Sequence, residues 1–307
     1  MAQEPTTKSR RGAALGSAQD GSEAVSPGEG AQRRRGGPAF IRHYLLALQF
    51  FTRIPVTGRL ANWVGFSPAL LRASAAHFPG VGWLVGALTA GLLLGLLWLL
   101  PAQSASAWVA AVLSTVFGVL LTGAFHEDGL ADLADGLGGS LERERALDIM
   151  KDSRIGSYGA LALGLAVLLK CALLALLVQV DAQLAAAALF AAHVVSRGMP
   201  LFIIRALPHV GDTALSKSKP LAEQIAGAAL VAGLCWVALA LALVGWCLPG
   251  APWPQAVLGA LLGLLWMWRL LRRRLQGFTG DGLGATQQVC EVLFYLALVV
   301  SLPATVA

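Results

Sequence analysis

Charged residues are absent from long stretches of this chain, and the gaps between them predict its elements. No Asp, Glu, Lys or Arg occurs between Arg72 and Glu127. One membrane-spanning helix needs about 20 apolar residues, so this stretch holds two, near 78–100 and 106–124, parted at 101–107. A second apolar stretch, 155–201, is interrupted at 179–183, and a third, 224–268, breaks at the proline-rich 248–255. A last one covers about 285–303, giving seven helices. Residues 40–56 are apolar but short, carry Arg42, His43 and Arg53 and end at Pro55. They predict an interfacial or re-entrant helix rather than a span.

Composition agrees. Of 307 residues 56% are hydrophobic and 13% charged, with a mean hydropathy of +0.67, against about 25% charged in soluble domains. An ordinary soluble enzyme, a disordered protein and a nucleic-acid binder are all excluded. The formal net charge of +6 is local: residues 1–77 hold ten Lys/Arg and four Asp/Glu, and residues 78–307 hold thirteen of each. Residues 1–37 are polar, with no apolar stretch of the kind a signal peptide needs, and predict a disordered tail ahead of a membrane-embedded catalytic domain, 38–307. With the tail and the loops 125–156, 202–223 and 270–284 on one side, 21 of the 23 Lys/Arg lie on that side or at its helix ends, and the opposite loops hold none. Basic loops stay cytoplasmic, so the N-terminus is expected inside. The expected fold is thus all-α, a polytopic bundle in the bacterial cytoplasmic membrane. Trp83, Trp98, Trp108, Trp246 and Trp253 fall near span ends as an aromatic belt. Glycines within spans (Gly82, Gly86, Gly91, Gly95, Gly227, Gly233, Gly259, Gly263) suit close helix packing. The four cysteines read as small apolar filler.

The chemistry lies in the basic-side loops. Asp128, Asp132 and Asp135 are spaced i, i+4, i+7, within an arc of about 60° on a helix. Three carboxylates on one face repel one another, and Mg²⁺, which takes hard oxygens and bridges to phosphates, would relieve them. A solvated helix face is the alternative, but such a face mixes Lys with Asp and has no use for Gly129 and Gly136. Glu127 points elsewhere, and His126 is either a base or a bland interfacial residue. Next comes Lys151-Asp152-Ser153-Arg154-Ile155-Gly156-Ser157, a phosphate cradle or simply a basic anchor for the next span; Asp152 is a further candidate for the metal. A third block, Gly277–Thr286, repeats the Asp-Gly-Leu of 128–130 in a glycine-rich turn able to approach a phosphate. Arg197, Lys170 and Glu291 lie within spans, where ionisable groups are costly; each serves either a site or a partner inside the bundle.

Together these blocks resemble the cobalamin synthase family, the adenosylcobinamide-GDP ribazoletransferases. The resemblance is carried by Phe50–Pro55, Phe78–Gly82, His126–Gly136, Ile149–Gly159, Ser196-Arg197 and Gly280–Ala285, in family order; Leu133 and Gly282 are minor departures. It implies that α-ribazole, or its 5′-phosphate, attacks cobinamide activated as a GDP ester and releases GMP. It further implies Mg²⁺ on Asp128, Asp132 and Asp135 with Asp152, pyrophosphate held by Lys151 and Arg154, and substrates oriented by Arg53, Ser153, Arg197 and Asp281. Beyond the two substrates and the bilayer, other cobalamin-assembly enzymes or a second copy are the partners it suggests, and no nucleic acid. Two rivals stand beside it. A CDP-alcohol phosphotransferase uses an Asp-Gly-x-x-Ala-Arg motif, whereas here Asp128-Gly129-Leu130-Ala131 is followed by Asp132 and the Arg is missing. A divalent-cation transporter places its carboxylates near the midplane, not in a loop.

Overall fold

The computed structural model describes residues 38–211 and 225–303; the expected tail, 1–37, and most of the loop 202–223 lie outside them. Twelve α-helices follow in order: α1 (Ala39–Phe51), α2 (Gly58–Val64), α3 (Pro68–Ser74), α4 (Phe78–Leu99), α5 (Ser104–Thr122), α6 (Phe125–Gly139), α7 (Arg143–Ile149), α8 (Ser157–Val180), α9 (Ala182–Ala206), α10 (Gly227–Cys247), α11 (Trp253–Arg274) and α12 (Gly280–Val300). Among the described residues there is no strand, only an isolated parallel bridge between His209 and Phe278. Seven helices are long and apolar enough to cross a membrane: α4 with the short turns before it, α5, and α8 to α12. Their outward faces carry exposed leucines such as Leu161, Leu165 and Leu168 on α8, an apolar surface that water would not tolerate over such an area. The chain is a multi-pass membrane protein.

The helix α9 forms the axis, with 89% of its most apolar window buried. Short side chains let its neighbours approach. A Cβ at Gly82 of α4 would stand 2.9 Å from the Val194 Cα of α9, and one at Gly86 the same distance from the Phe190 carbonyl oxygen. Gly259 and Gly263 of α11 meet α12 in the same way, and Gly233 of α10 meets Leu201. By contrast Gly91, Gly95 and Gly227 face open space. Gly82→Val should therefore overpack the α4–α9 contact and cost about 1–3 kcal/mol or more, seen as a lower unfolding temperature in detergent. Gly91→Val should leave that temperature unchanged.

The tryptophans divide. Trp98 and Trp246 are more than four-fifths exposed near span ends, as an aromatic belt requires. Trp83 and Trp253 belong to the interior instead: Trp83 packs edge-on against Phe190 and donates to the Trp236 carbonyl, and Trp253 donates to the Leu248 carbonyl. Cys171 and Cys290 are buried, Cys235 and Cys247 exposed.

One end of the bundle is built differently from the other. Between α5 and α6 two successive residues, Gly123 (φ +67°) and Ala124 (φ +59°), adopt the left-handed conformation. The chain turns sharply there, and α6 packs against α8 and α12 at the mouth of the bundle. Arg53 ties α1 to this elbow: its N–H donates to the Leu121 carbonyl, and its guanidinium lies against Gly123. Arg274, at the end of α11, donates to the Leu137 and Ser140 carbonyls at the end of α6, and Arg143 donates to the Leu275 carbonyl. The end of α1 and the connections 139–143 and 274–280 thus meet around α6.

Candidate active site at the mouth of the bundle

The first turn of α12 lies directly beside α6. A Cβ at Gly129 would stand 2.8 Å from the Asp281 carbonyl oxygen, and one at Gly284 would stand 3.3 Å from the His126 Cα. The two Asp-Gly-Leu stretches therefore meet through their glycines. The last helix begins at Gly280, not near 285, because the Thr279 hydroxyl accepts from the Gly282 N–H as its N-cap and Asp281 favours the helix start electrostatically. The expected turn is the first part of a helix, and Asp281 joins the acidic cluster of α6.

That cluster is electrostatically tense. Asp132 is pushed up to about 7 by burial first and then by the charges of Asp128, Asp281 and Asp135. Among the described residues no cation pairs with Asp128, Asp132 or Asp281. Nor do any three His, Cys, Asp or Glu side chains there close up into a group that would hold a metal ion unaided.

Asp135 faces another way. Its Oδ2 accepts from the Gly156 N–H at 2.7 Å and its Oδ1 from the Gly159 N–H at 2.8 Å. These are donors that a helix start leaves without partners, and a carboxylate suits the dipole there. Gly156 and Gly159 lack side chains because a Cβ at either would collide with this carboxylate. The N-terminus of α8, where the glycines of the Lys151–Gly159 block suggest a phosphate cradle, is thus filled by the protein's own anion. The preceding loop is exposed and internally paired. Arg154 forks onto Asp152 at 2.6 and 3.0 Å, holding that carboxyl down to about 2, and Lys151 stands 3.4 Å from Asp148. Asp152 is therefore placed with Arg154, not with the carboxylates of α6, while Ser153 is exposed beside them.

Beneath the mouth lies a buried polar network. Lys170 of α8 pairs with Glu291 of α12 at 2.7 Å. Glu291 also accepts from Gln287 (2.7 Å) and Tyr295 (3.2 Å), and Gln287 donates to the Ser196 hydroxyl (2.8 Å). Arg197 bonds through one terminal nitrogen to the ring and carbonyl of His193. Gln288 donates to Glu127 at 2.9 Å. Lys170 and Glu291 are thus each other's partner inside the bundle. Among the described residues, Arg197 Nε and Glu127 Oε2 are buried without any partner.

Arg197 also lines a cavity with about 590 Å³ of empty space, counting the part open to solvent, walled by Phe50, Phe51, Phe78, Phe125 and Phe278 with His126 and Gln287. His126 is fully buried and stacks over Phe51 at 17°. Burial, followed by the Arg197 charge, holds its imidazole well below the usual histidine range, so it is neutral. Sequence reasoning missed His193, Gln287, Gln288 and this aromatic wall. Gln287 and Gln288 gave a signal: two adjacent amides, with Glu291 a turn further on, inside an apolar span.

Comparisons with known proteins fit this arrangement. The cobalamin-5-phosphate synthase family model matches residues 43–299. A protein of Albidiferax ferrireducens named adenosylcobinamide-GDP ribazoletransferase is 63% identical over 277 residues, covering 86% of this chain and 99% of that protein. A Polaromonas protein of the same name is 61% identical over 86% of this chain and 98% of its own, and one from Vibrio cholerae is 43% identical over 83% and 92%. No solved structure matches the chain. The meeting of the two Asp-Gly-Leu segments at the mouth of a seven-span bundle is thus the arrangement, in this chain, of motifs whose sequence places it in the cobalamin-5-phosphate synthase family.

Proposed function

We propose that this chain is an adenosylcobinamide-GDP ribazoletransferase whose reaction takes place where α6 meets α12. A free ribose hydroxyl of α-ribazole, or of its 5′-phosphate, is joined to GDP-activated cobinamide. With α-ribazole, the hydroxyl oxygen bonds to the β-phosphorus, the P–O–P bridge breaks, GMP leaves and the hydroxyl proton passes to the carboxylate cluster. The observation that carries this reading is the group Asp128, Asp132 and Asp281, without a paired cation among the described residues, on two helices held in contact.

All three offer hard oxygen donors, and their mutual repulsion calls for a cation. Mg²⁺ typically binds through one or two carboxylates and keeps waters and substrate phosphates for its remaining positions. A site that does not close into a protein cage fits that habit. Asp128, Asp132 and Asp281 would hold the ion, and Asp135 braces α8 beside them. The ion would supply charge stabilisation to the transferring phosphoryl group. Arg53, exposed at the elbow beside α6, would hold the pyrophosphate; Lys151 and Arg154 would join it by exchanging their own acidic partners. The basic connections around the site support a cytoplasmic-facing site in the bacterial inner membrane.

GMP release tests the reading. Membranes carrying the chain should release GMP from GDP-cobinamide only when α-ribazole and Mg²⁺ are both present, and chelation should stop it. Metal uptake into vesicles without GMP release would favour transport instead.

A second expectation follows from Asp132. Its folded-state value, about 7, lies above the ordinary carboxylate value of 3.8. The protonated form is therefore the one the fold prefers, and stability present at low pH is lost as pH rises through 7. A cation replaces the missing proton. Mg²⁺ should raise the unfolding temperature clearly near pH 8 and little near pH 5.5.

A further inference from the structure

We infer that the aromatic cavity beside the carboxylates binds the benzimidazole base of α-ribazole, with Arg197 donating to its free ring nitrogen. This rests on the transferase reading and names one substrate's seat within that site. Phe51, Phe78, Phe125 and Phe278 give the cavity a carbon wall, suited to a flat apolar ring that gains from stacking. The polar side of the cavity is unusually specific. Gln287 is fully used, since its amide nitrogen donates to Ser196 and Glu291 and its oxygen accepts from Gln288. Arg197, with only 4% of its surface exposed, keeps its Nε–H without a partner among the described residues. A buried donor left unsatisfied costs free energy that a ligand acceptor recovers.

The base of α-ribazole, once joined to its ribose, carries a single ring nitrogen that accepts and no N–H that donates. The unpaired Arg197 Nε–H matches that acceptor, with the imidazoles of His126 and His209 beside it in the lining. Guanine, the other flat ring available among the substrates, fits poorly. Its edge presents N–H groups that need acceptors, and the lining contains no carboxylate. The location also suits the reaction. Gly280 and Leu283 of the lining flank Asp281, and His126 lies two residues before Asp128, so a base seated here keeps its ribose within the neighbourhood of the carboxylates.

The test is the separation of two substrate requirements. Phe125 is 37% exposed, so Phe125→Leu removes a stacking face at little risk to the fold. It should raise the KM for α-ribazole about 5- to 100-fold and leave that for GDP-cobinamide unchanged. Arg197→Gln should do the same by about 10- to 100-fold. Equilibrium dialysis of the detergent-solubilised chain against α-ribazole and, separately, GDP gives a second readout that needs no turnover. Weaker α-ribazole binding by Phe125→Leu, with GDP binding unchanged, supports the assignment. A change confined to GDP or GDP-cobinamide gives the cavity to guanine and overturns it, as does no change with either ligand. If the wild-type chain releases no GMP while α-ribazole binding still depends on Phe125, the transferase reading fails and the cavity assignment stands.

Discussion

Asp132→Asn should abolish GMP release while leaving the protein inserted and at least as stable as before. The substitution keeps the shape of the side chain and removes a charge that Asp128, Asp281 and Asp135 all oppose. Without Mg²⁺ near pH 8, relief of that repulsion should hold the unfolding temperature level or raise it. Activity should fall at least about 100-fold, the usual effect of removing one group that stabilises transition-state charge. Asp135→Asn makes the contrast. That carboxylate accepts from the Gly156 and Gly159 N–H groups, and an amide can offer only one accepting oxygen. Stability should drop by about 0.5–2 kcal/mol, the scale of a lost N-cap, together with activity. Activity and unfolding measurements on the two variants separate a charge needed for chemistry from one needed for structure. Normal GMP release by Asp132→Asn would remove the carboxylates from the reaction.

The second large effect is expected away from the mouth. Glu291→Leu should destabilise the bundle by about 3–5 kcal/mol, because it strands Lys170 in a low-dielectric interior without its 2.7 Å partner. Gln287 and Tyr295 lose their acceptor at the same time. Adding Lys170→Met should recover part of the loss, since an apolar pair of similar volume avoids the buried charge altogether. Thermal unfolding of the two single variants and the double variant in one detergent reads the coupling. If the singles and the double lose equal amounts, the ion pair is not what holds α8 to α12.

The membrane plan was legible because lipid imposes a simple grammar: charge-free runs become spans, and Pro or Gly clusters end them. The helical face of Asp128, Asp132 and Asp135 was also legible, because periodicity depends on neighbours in the chain. What each carboxylate does was not. Asp135 is claimed by the start of α8 and Asp281 is brought beside Asp128, and both facts depend on contacts between segments far apart in sequence. The start of α12 was misplaced because Gly, Asp and Thr resemble a loop until Thr279 is seen to cap them. Trp83 and Trp253 read as belt residues because a span end can face another helix as readily as it faces lipid. The phenylalanine wall assembles from four separate segments, and no single stretch announces it.

The elbow at Gly123 and Ala124 has a geometric corollary. Had α5 run straight on, its 15-residue continuation would project roughly 22 Å beyond the bundle at 1.5 Å per residue. The acidic stripe would then hang in open solution, far from Arg197. Two consecutive backbone torsions of the wrong hand, each disfavoured by about 1–2 kcal/mol away from glycine, fold that rod back like the blade of a clasp knife. Ala124 bears this penalty where glycine would escape it.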